Sequence, residues 1–391
     1  MATVTKRTWK NRFGETKTAW VCSYIDRSGK QHRKQFEIKR DAETERVRIE
    51  GEIARGVHVP DRSSITVNDA AKAFLADFEE LVQAKKRELS TFRGYEQHVR
   101  LHISPKEISN IKLSRLTGPD SVEFSRELER KLSTALAIKV LSTLKSIIRF
   151  SNLMGWMSHN PVIGVSIRTA GDRNNSDELD IPTKKNLKDL LNAAKAFDNT
   201  GRAEALVSIL LFGGLRISEL RGLRRHDLEL ENSCVRVRQR ADKWQRIGQV
   251  KTKNARRVVP LPKHTIQTLK HWLLASPHSH LDLVFPTGVG NPESYANIYN
   301  RLWRPLMLDA GMATVTKRPD KTKHIKPHFG LHALRHSAVS LWIEQGVSPK
   351  KVMTWAGHAS IQFSMDTYGH LWEDAEGDAA IAEAVEKSIL G

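Results

Sequence analysis

Cysteine is nearly absent. Cys22 and Cys234 are the only two in 391 residues, which excludes a disulfide framework and a cysteine-rich zinc module. Long apolar runs are missing too: the longest, Ala205–Phe212, falls far short of the roughly 20 residues that span a bilayer. The first residues lack the apolar stretch of a secretory signal, so the expectation is a cytosolic protein without a membrane partner. Acidic residues are few relative to basic ones, 44 against 63, leaving a formal charge of +19. Such a field favours an extended polyanion, with nucleic acid first and an anionic membrane surface second. At 39% apolar and 27% charged, the composition is that of an ordinary globular chain, which excludes wholesale disorder and fibrous repeats. The length calls for two or three domains rather than one core.

Residues 1–62 read as a small basic α+β domain, a three-stranded sheet plus a helix. Trp20–Ile25 and Gln31–Phe36 are strand-like and flank Asp26-Arg27-Ser28-Gly29, a turn of the kind hairpins use. A helical stretch, Asp41–Arg55, stops at Gly56 before Pro60. Lys6, Arg7, Lys10, Arg12 and Lys17 stand there almost without acidic relief. They read either as a solvated face or as a DNA reader. Residues 63–168 carry four candidate helices: Val67–Lys86, Thr91–Ile103, one opening at Thr117-Gly118-Pro119-Asp120, and Thr134–Met154. Residues 169–180, with Gly171, Asn174, Asn175 and Ser176, are the expected linker.

Residues 181–391 are mostly helical with one basic hairpin. Cys234–Arg240 alternates Val235 and Val237 with Arg236, Arg238 and Arg240, and Arg256–Leu261 returns across a turn. Between Arg236 and Arg257 nine basic residues (Arg236, Arg238, Arg240, Lys243, Arg246, Lys251, Lys253, Arg256, Arg257) face one acid, Asp242. Contact with phosphates explains that density better than a solvated surface does. The heptapeptide MATVTKR occurs at 1–7 and again at 312–318, with no longer repeat to signal a solenoid. The fold class expected is multidomain and mainly α: the basic α+β domain, a four-helix domain, and a mixed, mainly helical domain with a small β-hairpin or sheet.

Short motifs in the last domain carry chemistry together. Gly213-Gly214-Leu215-Arg216-Ile217-Ser218-Glu219 is a helix end, a glycine break and an arginine opening another helix. Lys251-Thr252-Lys253 lies on the hairpin. His332-Ala333-Leu334-Arg335-His336, Ala356-Gly357-His358 and Asp366-Thr367-Tyr368-Gly369-His370 follow. Arginines can spread the charge of a pentacoordinate phosphorus, a lysine can protonate a departing alkoxide, and a tyrosine can attack. This is a kit for phosphoryl transfer to a protein nucleophile without a metal.

On these residues the chain resembles the tyrosine recombinases, above all the integrases of phages and integrative elements. The resemblance covers residues 181–391, and the two preceding domains fit its three-part layout. It implies that Arg216 and Arg335 hold the phosphate, that Glu219 supports the site, and that Lys251 is the general acid toward a 5′-hydroxyl. It further makes His332 the partner of Arg335 in the His-x-x-Arg pair, His358 the second histidine and Tyr368 the nucleophile of a 3′-phosphotyrosyl intermediate. Ala356 stands where leucine is usual, a difference of packing. The implied activity is metal- and ATP-independent integration and excision of a phage or mobile element, with no cofactor, in the bacterial cytoplasm or nucleoid. Implied partners are double-stranded DNA, with core-type sites for residues 63–168 and arm-type sites for residues 1–62, a homotetramer on that DNA, a host DNA-bending protein and an excision factor. The tail, Glu373–Gly391, would dock on a neighbouring protomer or on its own domain.

Plainer alternatives stand beside these assignments. Tyr368, one of five tyrosines, also fits a half-buried helix aromatic; Tyr295 and Tyr299 read as core. Arg216 and Arg335 also fit simple ion pairs, Arg216 with Glu219 or Glu204. Lys253 competes with Lys251. His324, His328, His332 and His336 recur every fourth residue and invite a metal, but Pro327 and Gly330 interrupt any helix there and no His-Glu-x-x-His pattern follows. Of the histidines, His332 is the expected proton acceptor, His358 a phosphate partner and His336 structural. Rival functions are a chromosome-dimer resolvase, a transposon recombinase, a type IB topoisomerase and a non-catalytic basic regulator.

Overall fold

The computed structural model describes residues 2–26, 29–55, 58–168, 181–250, 255–317, 323–358, 360–371 and 387. The expected linker, Lys251, Lys253 and almost all of the tail lie outside the described residues. The chain divides into two compact units, residues 1–174 and 175–391.

In the first unit, β1 (Thr3–Lys10), β2 (Thr16–Ile25) and β3 (Gln31–Phe36) form an antiparallel meander. Ala2, Cys22 and Tyr24 of this sheet pack on Ile49 of α1 (Lys39–Arg55). Along α1 Arg46 pairs with Glu43 and Glu50, and Arg48 with Glu45 and Glu52, at helical spacing. Four helices follow: α2 (Val67–Gln83), α3 (Leu89–His98), α4 (Gly118–Lys131) and α5 (Thr134–Leu153). They enclose a separate core that includes Phe74, Phe92, Leu113, Leu144 and Ile147. Thr66 caps α2 and a Thr117–Asp120 capping box opens α4, satisfying amides that the first turn leaves free. The expected Val67–Lys86 helix ends earlier because Lys85 turns left-handed at φ 57. The expected Thr91–Ile103 helix widens into a π turn at Val99–Ile103.

The second unit is built around α7 (Arg202–Gly213), buried on nearly every side, which is why Ala205–Phe212 reads as a continuous apolar run. Around it pack α6 (Lys184–Phe197), α9 (Lys263–Ala275), and the segment from α10 (Tyr295–Asn297) through a π turn into α11 (Arg304–Asp309). The short α8 (Ile217–Arg221) follows α7, and α12 (Ala333–Glu344), α13 (Pro349–Ala356) and α14 (Ile361–Tyr368) close the unit. β4 (Leu228–Glu229), β5 (Cys234–Val237) and β8 (Arg257–Pro260) make one antiparallel sheet, and β6 (Gln239–Ala241) pairs with β7 (Ile247–Gln249) in another. The expected single strand Cys234–Arg240 is thus broken at Arg238. Gln239 Nε2 donates to the Gly222 carbonyl at 2.6 Å, and a Cβ on Gly222 would sit 2.6 Å from the Arg240 carbonyl carbon, so the close approach of α8 bends the chain there.

A last hairpin joins β9 (Ala313–Lys317) to β10 (Lys323–Pro327). Thr3–Arg7 of the first copy of the repeated heptapeptide therefore lie in β1 and Ala313–Lys317 of the second in β9, each the first strand of an antiparallel hairpin, as the β-branched Thr-Val-Thr core of the repeat favours. Among the described residues no helix is long and apolar enough to cross a membrane.

Candidate active site

Three arginines meet at the C-terminal end of α13. That helix leaves carbonyls without intrahelical partners at the negative end of its dipole. Arg257 Nε donates to the Trp355 carbonyl at 2.6 Å, Arg335 Nη2 donates to the Ala356 carbonyl, and Arg216 Nη2 donates to the Gly357 carbonyl at 3.0 Å. Gly357, at φ 63, is the left-handed residue that ends the helix. Arg335 also donates from Nη1 to the Gly214 carbonyl at 2.6 Å. Gly214 itself is left-handed, and a Cβ there would lie 2.7 Å from the Trp342 ring. Each arginine thus has a backbone behind it, and Arg216, about a third exposed, offers the open face.

Glu219 is the counter-charge. It is 2% exposed and takes the Arg216 amide at 2.9 Å, Arg216 Nη1 at 2.9 Å and both Nη atoms of Arg257 at 3.0 and 2.8 Å. Burial pushes its carboxyl up, but Arg257, then Arg216 and Arg335, outweigh that and hold it at about 2. Burial, then the Arg216 charge, draws Arg335 down to about 9, which leaves it charged at neutral pH.

Beside the arginines runs a row of rings. His332 stands edge-on to His336 at 4.8 Å, His336 lies 5.9 Å from the Tyr368 ring, and Tyr368 is parallel to His358 at 6.3 Å. Tyr368 ends α14 and is 1% exposed, and its hydroxyl is 2.5 Å from His336 Nδ1. Burial raises that phenol to about 12, against the opposing pull of Arg335. His358 is 4% exposed, bonded through Nδ1 to Ser364 Oγ at 2.8 Å, and lowered to about 3 by burial and then by Arg335. His336 is lowered by burial and then by Arg335. Desolvation, then His336 and Arg335, lowers His332 as well, but its exposed position lets solvent temper the effect. With neutral imidazoles in place, the phenol is a donor to His336 and the cationic charge is left to the arginines. Among the described residues no group of His, Cys, Asp and Glu is arranged to hold a metal.

Five separated stretches of sequence thus converge on one cluster of three guanidinium groups, a buried carboxylate, imidazoles and one phenol. The family profile described as "Phage integrase family" matches residues 182–374, the span holding this cluster. The tyrosine recombinase XerC-like protein of Caldanaerobacter subterraneus subsp. tengcongensis is 27% identical over 375 residues, covering 88% of this chain and 90% of that one. The chain belongs to the tyrosine recombinases. The transposase of transposon Tn916 from Enterococcus faecalis is 30% identical over 213 residues, 51% of this chain and 49% of that protein. The fold matches the Tn1549 transposon integrase, solved in complex with a circular-intermediate DNA, at TM-score 0.64 and 19% identity over 83% of this chain and 99% of that one. It also matches a lambda integrase dimer bound to a core site, at TM-score 0.56 and 16% identity over 94% and 96%.

The recombinase brings Arg216, Glu219, His332, Arg335, His358 and Tyr368 together. It departs from the sequence reading at three places. Arg257, expected on the phosphate-contacting face, is buried because the alternation of β8 turns it inward beside Glu219. The phenol touches His336 rather than His332, since one helical turn separates the two rings and the second lies over α14. Within the basic stretch Arg236 bonds Glu229 and Arg238 lies 3.4 Å from Asp227. Lys243, over the Trp244 ring at 4.3 Å, and Arg246 and Arg256 are exposed, as are Lys6, Arg7, Lys10 and Arg12 on and beside β1. Sequence reasoning missed Arg221. It is buried and donates to the Glu293, Ala241 and Asp242 carbonyls, pinning the β6–β7 hairpin to α8.

Proposed function

We propose that this recombinase integrates and excises a mobile element by cutting and rejoining DNA through Tyr368. The observation that carries this reading is a phenol bonded to an imidazole within the electrostatic reach of Arg335, beside Arg216 and His358. The tyrosine oxygen bonds to the scissile phosphorus while the bond to the 5′-oxygen breaks. The phenolic proton passes to His336, and Lys251 gives a proton to the departing 5′-oxygen. Arg216 and Arg335 offset the charge on the pentacoordinate phosphorus, with His332 and His358 bonding its oxygens. The 3′-phosphotyrosyl bond keeps the energy of the phosphodiester, so a 5′-hydroxyl from a second duplex reverses the step onto a new partner without ATP.

The phenol is too enclosed to meet a phosphate where it lies, so cleavage includes a displacement of α14 when DNA is bound. Residues 63–168 and 181–391 would grip core-type DNA, and the exposed cations of β1 would read arm-type sites, each raising the effective concentration of the other. Lambda integrase has been solved as a tetramer bound to a Holliday junction, which supports a tetramer on DNA here. A host DNA-bending protein and an excision factor would complete the assembly and set its direction.

The test is junction formation. Coexpression with DNA carrying candidate attachment sites yields recombinant junctions on sequencing, and Tyr368→Phe yields none while still retarding the same duplex. Junctions formed equally by Tyr368→Phe would overturn the reading.

A further inference from the structure

We infer that Arg257 is a positioning residue of the strand-cleavage site, fixing Glu219, and through it Arg216, against the C-terminal end of α13. The inference rests on the recombinase reading. In the sequence Arg257 closes a run of basic residues and reads as one more phosphate contact. In the structure its side chain has no exposed surface, and its donors are engaged: Nε with the Trp355 carbonyl at 2.6 Å, Nη1 with the Ala255 carbonyl at 3.1 Å and Glu219 Oε1 at 3.0 Å, Nη2 with Glu219 Oε2 at 2.8 Å. No face of the guanidinium is left for DNA.

Both Glu219 oxygens serve two arginines at once. Oε1 receives Arg216 Nη1 at 2.9 Å as well as Arg257 Nη1, and Oε2 receives the Arg216 amide at 2.9 Å as well as Arg257 Nη2. A two-pronged fork fixes the plane of a carboxylate, which a single ammonium does not. Arg216 is therefore aimed from a rigid point. Arg257 also opens β8, just after residues 251–254, which carry Lys251, and it grips the carbonyl two residues before Gly357 and three before His358. One side chain thus ties together the chain stretches bearing Arg216 and His358. Gly357 has the space for this: a Cβ there would lie 3.0 Å from Arg257 Nη1 and 3.1 Å from its Cδ.

The groups facing Glu219 are Arg257 from β8, Arg216 at the head of α8, and Arg335 and His332 from the start of α12. Without Arg257 the carboxylate loses its largest cationic partner in a site closed to water, and its titration moves up toward neutral pH. A DNA contact, by contrast, would show in affinity and its salt dependence.

The experiment measures single-turnover cleavage of a nicked suicide duplex from pH 5.5 to 9, with duplex affinity at two salt concentrations. It compares the full-length chain with Arg257→Met, Arg257→Lys and Arg257→Met in a Glu219→Gln background. Arg257→Met is expected to keep the affinity and salt slope, to cleave roughly tenfold or more slowly at pH 6.5, and to recover as pH rises, an ascending limb that the unsubstituted chain lacks. Arg257→Lys should show a smaller limb, and Glu219→Gln should abolish it. Unchanged cleavage, a loss independent of pH in both Arg257→Met and Arg257→Lys, or a weakened affinity with a shallower salt slope would overturn the inference. Absence of a covalent adduct from the unsubstituted chain would instead sink the recombinase reading.

Discussion

Tyr368 and His336 hold each other. The phenol is buried, and its one hydrogen-bond partner among the described residues is the His336 ring. Removing that ring strands a buried hydroxyl, a loss of about 1–3 kcal/mol. His336→Ala is expected to lower the melting temperature by about 2–4 °C per kcal/mol in a unit of this size, and calorimetry checks it. At this scale the residues that cluster around Tyr368 were legible, because their order and spacing form a set that no single ion pair or core aromatic mimics. Arg257 and Arg221 were not. An arginine among arginines carries no sign of which face of the strand or helix it takes; Arg257 is buried against Glu219, and Arg221 against the β6–β7 hairpin that Gly222 lets approach.

The short connecting turns decide the site more than the long helices do. α13 ends in a left-handed glycine, so that three arginines reach three successive carbonyls. Gly357→Ala places a Cβ in left-handed backbone and against Arg257. The expected cost is about 1–3 kcal/mol, read by urea unfolding, with slower cleavage because Arg257 must shift. Helices with caps were readable: Thr66 and Thr117 start α2 and α4 where the residue pattern puts them, since a capping residue acts locally. β1 has almost no buried side chain and so left no alternating signal, and the break at Arg238 depends on a contact with α8 that local sequence does not encode.

Across the whole molecule, buried imidazoles tie stability to pH. His358 is held at about 3 in the fold against an ordinary 6.5, so the unfolded chain takes up a proton that the folded chain refuses. That stability is complete above about pH 6.5 and is lost as pH falls, by about 2 kcal/mol at pH 5. Glu219, held at about 2 against 4.5, acts in the same direction at lower pH and loses its contribution only below about pH 4.5. The melting temperature of the full chain is therefore expected to fall between pH 7 and pH 5, and His358→Gln should flatten that slope.

The charge of +19 pointed to nucleic acid at the outset, yet it says nothing of chemistry. That rests on one oxygen. The most direct measurement is to trap the covalent adduct on a nicked suicide duplex made from the mapped junction, digest it, and identify the nucleotide-bearing peptide by mass spectrometry. The account predicts a 3′-phosphodiester on Tyr368 and nowhere else; a nucleotide on Tyr295, Tyr299 or a serine, or a free 3′-phosphate with no protein attached, would contradict it.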